Sequence, residues 1–188
     1  MHAVSRNRLW LAGLSAFMCL NNALAEPIGE AFFNAMSPNQ WTRVPASGLP
    51  TFEPHRGMAV DSTGGRLFLF GSETHGETTP DNAVHVFDAD TLTWTASYAP
   101  EPVTAYLLDS DHWTPTIGGN PWAAHTFDNL VYLPDYNQLL VVTTPGHNYP
   151  GMDAVGTTWV ARQTWLYDIA SASWQFLKDA GTPPENHE

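Results

Sequence analysis

Cysteine is almost absent from this chain: Cys19 is the single one among 188 residues, and it lies inside an N-terminal apolar stretch. Disulfides are therefore excluded as a source of stability. Basic residues are scarce too, with seven Lys and Arg against 19 Asp and Glu. A field of that sign repels phosphate backbones and anionic lipid, so nucleic acid and membrane surfaces are poor partners. Long hydrophobic runs are also missing. The best candidate, Leu9–Leu20, has 12 residues, short of the roughly 20 that span a bilayer.

That short run has a different use. Arg6 and Arg8 precede it, and Asn21-Asn22-Ala23-Leu24-Ala25 follows, ending in an Ala-x-Ala signature before Glu26. The order is that of a secretory signal peptide over residues 1–25, cleaved after Ala25. The expected location is periplasmic or secreted. Ala16-Phe17-Met18 before Cys19 are not the small residues of a lipoprotein signal, so no lipid anchor is expected. Residues 26–188 then hold all 19 acidic residues and five basic ones (Arg43, Arg56, Arg66, Arg162, Lys178), a formal charge of −14. The chain is not disordered, because 43% hydrophobic residues with eight Trp and nine Phe over its 188 residues supply a core. Abundant Gly, Pro, Thr and Trp point to strands and turns.

An internal repeat organises what is present. Arg66-Leu-Phe-Leu-Phe-Gly71, Asn82-Ala-Val-His-Val-Phe-Asp88 and Thr91-Leu-Thr-Trp94 have a second pass. In it Gln138-Leu-Leu-Val-Val-Thr143 precedes Thr164-Trp-Leu-Tyr-Asp168 and Ala170-Ser-Ala-Ser-Trp174. With Arg56–Asp61 and His125–Tyr132 upstream, each pass predicts four strands. Val84, His85, Val86 and Phe87 alternate as a strand in a packed sheet must. Gly64-Gly65 and Pro134–Asn137 supply hairpin turns. Asp88 and Asp168 are placed to accept backbone N–H bonds at the turn into the last strand. Trp41, Trp94 and Trp174 each open a short segment, 53 and 80 residues apart.

On these residues, 55–98 resembles a Kelch repeat: basic Arg56, strand–turn–strand to Gly71, Val-His-Val-Phe-Asp88, and Trp94 six residues on. Segment 122–177 resembles a diverged copy, with Thr143-Thr144 where the Kelch pattern has Gly-Gly. The resemblance implies an all-β fold, an incomplete Kelch-like β-propeller of four-stranded antiparallel blades. One blade is expected at about 55–98 and another at about 122–177, with Trp41 in a lone outer strand at about 41–45. Trp41, Arg56, Gly71, Asp88, Trp94, Asp168 and Trp174 are read as structural, the indoles filling space between blades. The tail 178–188 resembles residues 48–55, the lead-in to a blade, and so leads toward a missing one. Two blades fall short of a closed ring, so a truncated chain or an oligomer is expected, truncation being favoured.

Three long connections, 72–81, 99–124 and 144–163, are expected at one end of the blades, where binding concentrates. The ligand-binding candidates there are His75, Asp111, His112, Trp113, Trp122, His147, Tyr149, Trp159 and Arg162, with Glu77, Asp109 and Asp153 beside them. Rings next to carboxylates suit a sugar's apolar face and its hydroxyls; the indoles could equally pin their own loops. Asp109-Ser-Asp-His112 lacks the Gly and distal Glu of an EF-hand, and no metal or cofactor is expected. His85 reads as a packed or edge residue and His125, followed by Asp128, as a hydrogen-bonded one.

The resulting expectation is an exported, non-catalytic binding module for carbohydrate or protein. The resemblance also implies alternatives: a sugar-active enzyme of the mutarotase kind, with Arg56, Glu77 or His125 as acid–base groups, or a protein–protein scaffold. A copper oxidase of the galactose oxidase kind needs a Cys–Tyr cross-link, which residues 26–188 cannot make. No catalytic residue is assigned.

Overall fold

The computed structural model describes residues 27–51, 55–71, 80–108, 115–143, 155–156 and 162–177. The expected signal peptide and the tail 178–188 lie outside them. The described residues are mostly sheet, an all-β arrangement, and their named helical elements are one short helix and a 3-10 turn. The first sheet runs in order β1 (Gly57–Asp61), β2 (Arg66–Phe70), β3 (His85–Asp88) and β4 (Thr93–Ala96). The second repeats that order with β5 (Leu130–Leu133), β6 (Gln138–Val142), β7 (Thr164–Asp168) and β8 (Ser173–Leu177). All pairings are antiparallel.

Short turns close one end of both sheets, and they share a design. Each has four residues, the last in the left-handed region: Gly65, Leu92, Asn137 and Ala172. Aspartates hold three of them. Asp61 Oδ1 accepts from the Thr63 and Gly64 amides, while Arg66 donates twice to its Oδ2. Asp88 accepts from the Thr91 amide and hydroxyl, and Asp168 does the same with Ser171. Carboxylates at these places satisfy amides that a tight turn would otherwise leave to water.

The core lies between the sheets. Residues paired across antiparallel strands share a face, so Ala59, Phe68 and Val86 form one face of the first sheet. They meet Leu130, Leu139, Val141, Trp165 and Tyr167 of the second, all buried. Trp174 closes this core: its ring lies 4.9 Å from Phe70 and 4.8 Å from Tyr167, and its Nε1 donates to the Tyr98 hydroxyl at 2.7 Å. At the turn end Arg66 reaches across to Asn137 Oδ1 at 3.0 Å. The edge strands β1 and β5 lie side by side.

The segment before β1 corrects one expectation. Residues 41–45 form no strand, and the Trp41 side chain is fully exposed. Only Ser47 bridges to an existing strand, at Thr93 on the outer edge of β4. Trp41 therefore has no sheet to fill, whereas Trp94 and Trp174 sit at matching places, opposite Phe87 and Tyr167. Nor does Trp94 lie between the sheets; it packs on Phe87 on the face turned away from the second sheet. A helix that the sequence reading lacks, α1 (Ile28–Asn34), precedes this segment. Gly29 seats it on the β3–β4 turn, where its amide donates to Asp90 O and a Cβ would meet Ala89 O at 1.5 Å. No helix among the described residues is long and apolar enough to cross a membrane.

Candidate functional site

The strand registers send the connections β2–β3, β4–β5 and β6–β7 out of the end opposite the short turns. Thr126 locks the two sheets together there. Its hydroxyl donates to Phe70 O and accepts from the Gly57 amide, both at 2.6 Å. Gly71 lies against it at a φ of 101°, and a Cβ would sit 2.4 Å from the Thr126 hydroxyl. The corresponding Thr143 instead uses its side chain: the Gln163 amide donates to Thr143 Oγ1 at 3.0 Å.

Two polar networks form the floor of this end. In the first, Arg56 Nη2 donates to Asp81 Oδ2 at 2.6 Å, and His85 Nε2 donates to the same oxygen at 2.7 Å. The Ala83 amide takes Asp81 Oδ1. Burial alone would raise the Asp81 pKa; the bonds from His85 and Ala83 and the charges of His85 and Arg56 outweigh it, holding the carboxyl below 3.8. The Arg56 side chain is 6% exposed, and its Nε and Nη1 have no hydrogen-bond partner among the described residues.

The second network centres on Glu101, which accepts from Asn82 Nδ2, Thr116 Oγ1, Asn120 Nδ2 and the Gly118 amide. Burial opposes its charge, but these donors lower its pKa below 4.5. Asn82, fully buried, also donates to Pro121 O and accepts from the Glu101 amide. Both carboxylates are spent on holding loops, which leaves neither as an acid–base group.

A third group lies at the inner edge, just ahead of β1 and β5. The His55 and His125 rings are 4.3 Å apart, and Phe127 lies 5.0 Å from the first and 5.3 Å from the second. Phe127 is 44% exposed, so this aromatic cluster has a face open to solvent.

Most ligand candidates fall elsewhere: His75, Asp111, His112, Trp113, His147, Tyr149 and Trp159 lie outside the described residues, as do Glu77, Asp109 and Asp153. Trp122 is 1% exposed and its ring packs at a tilt on Tyr106 at 4.9 Å, as an indole that pins its own loop would. Arg162 is half-buried at the entry to β7, its Nε without a partner among the described residues. His85 is packed and hydrogen-bonded to Asp81, His125 belongs to the aromatic cluster, and Asp128 is exposed. Asn82, Glu101, Thr126 and Phe127 were not singled out as site residues by sequence; Asn82 opens a repeated segment, the one signal that marked any of them. Among the described residues no group of three or more His, Cys, Asp or Glu is placed to hold a metal ion. No protein-family model matches this chain, and no curated protein matches it.

Proposed function

We propose that this chain is a two-blade segment of a Kelch-like β-propeller, exported after loss of residues 1–25, that binds carbohydrate without transforming it. The propeller reading is supported by two sheets of the same strand order, stacked face to face with β1 beside β5. The binding end is the one bearing the three long connections.

The His55–His125–Phe127 cluster carries the choice of carbohydrate. A pyranose presents an apolar face of C–H groups, and a ring exposed beside two imidazoles gives that face a surface and its hydroxyls polar edges. The floor below is rigid, its carboxylates committed, so ordering costs on binding are small. The bound ligand needs no metal or cofactor.

A glycan array followed by calorimetry tests this on the purified chain. Phe127→Ala removes an exposed ring, so folding is preserved, and affinity for the retained glycan should fall about tenfold, the equivalent of ~1.4 kcal/mol. An array that retains no glycan overturns the reading. Interconversion of sugar anomers, abolished by His125→Ala, would replace it with an enzyme.

A further inference from the structure

The two sheets do not meet as mirror images. Counting along the paired strands, the face that the second sheet turns to the first carries Leu130, Tyr132, Leu139, Val141, Tyr167 and Trp174. The same registers in the first sheet hold Met58, Val60, Leu67, Leu69, Phe87 and Trp94, on the face turned away from the second. Every one is apolar, although the register of Trp165 is held in the first sheet by His85, hydrogen-bonded to Asp81. Met58 and Val60 are 58% and 57% exposed, and the other four are half-buried.

The reverse holds as well. Ala59, Phe68, Phe70 and Val86 receive the second sheet. Their counterparts on the far side of that sheet are Val131, Leu140, Val142 and Leu166, with Val131 47% exposed. The molecule thus contains one completed contact between a face of the first kind and one of the second. It also carries an open face of each kind. None of these ten side chains is charged; the ionisable His85 and Asp168 share the two faces with them, His85 hydrogen-bonded to Asp81 and Asp168 committed to its turn at the sheet's end.

We propose that these open faces bind each other in separate copies of the chain, head to tail, repeating between molecules the contact already made within one. A head-to-tail contact is heterologous and closes only as a ring. Closed rings of such sheets have roughly four to eight members, so two to four copies complete one. The Ser47–Thr93 bridge caps the β4 edge, which directs association to faces and away from edge pairing.

The mass of the full chain by sedimentation velocity and light scattering tests this, with two variants at exposed positions. Met58→Glu with Val60→Glu closes the free face of the first sheet; Val131→Glu closes that of the second. Wild type should form a discrete oligomer of two to four chains, and each variant alone should be a monomer. Mixed in equal amounts, the variants should give a dimer and nothing larger, since each retains the face that the other lacks. Lys replacements at the same positions serve if circular dichroism shows a Glu variant unfolded. A monomeric wild type overturns the proposal. So does a wild-type oligomer that both variants leave intact, or variants that stay monomeric when mixed, which would place the contact elsewhere.

Discussion

Among the described residues three donors converge on the half-buried carboxylate of Asp81, two of them on the same oxygen. Its pKa is lowered on folding, so it stabilises the native state above the unfolded value near 3.8 and loses that contribution as pH falls through the lower folded value. Asp81→Asn should cost about 2–3 kcal/mol at neutral pH, because Arg56 and His85 stay buried with a weaker acceptor. Urea unfolding at several pH values should show this deficit shrinking on the acid side. None of it was legible in advance. Asp81 lies 25 residues from Arg56, and a carboxylate that meets its partner only after folding looks like any polar residue at a loop end. Glu101 and Asn82, 19 residues apart, escaped for the same reason.

At the scale of elements, the two tryptophans that open β4 and β8 were identifiable because alternation and an aspartate turn precede each. Trp41 has the same local look but no hairpin before it, and local look does not supply a partner strand. The difference is measurable. Trp174→Ala opens a cavity beside Phe70 and Tyr167 and should cost about 3 kcal/mol. Trp41→Ala removes an exposed ring and should stay within about 0.5 kcal/mol of wild type. Thermal melts of both variants check the pair. Helix α1 was missed because its seven residues have little helical drive of their own. What seats it is Gly29 against a turn some 60 residues away.

Across the whole molecule, the two four-stranded antiparallel sheets and the strand order within each followed from sequence, since each rests on neighbours along the chain, while the extra strand expected at 41–45 did not form. What joins the sheets did not follow from sequence. Thr126 reaches the start of β1 and the end of β2 with one hydroxyl, and nothing near it in sequence announces that. Thr126→Val keeps the shape and strands a buried amide and a buried carbonyl, a loss of about 2–3 kcal/mol. The urea midpoint should fall accordingly, while Thr126→Ser, which keeps the hydroxyl, should recover most of it.

The reach of that hydroxyl also sets a timetable. During synthesis the first sheet can pair its four strands as soon as Ala96 has emerged, yet its loop end stays unlatched until residue 126 is free. At ribosomal speeds of roughly 5–20 residues per second, the early half of the protein waits for seconds with its hydrophobic flank bare, an interval in which a chaperone has something to hold.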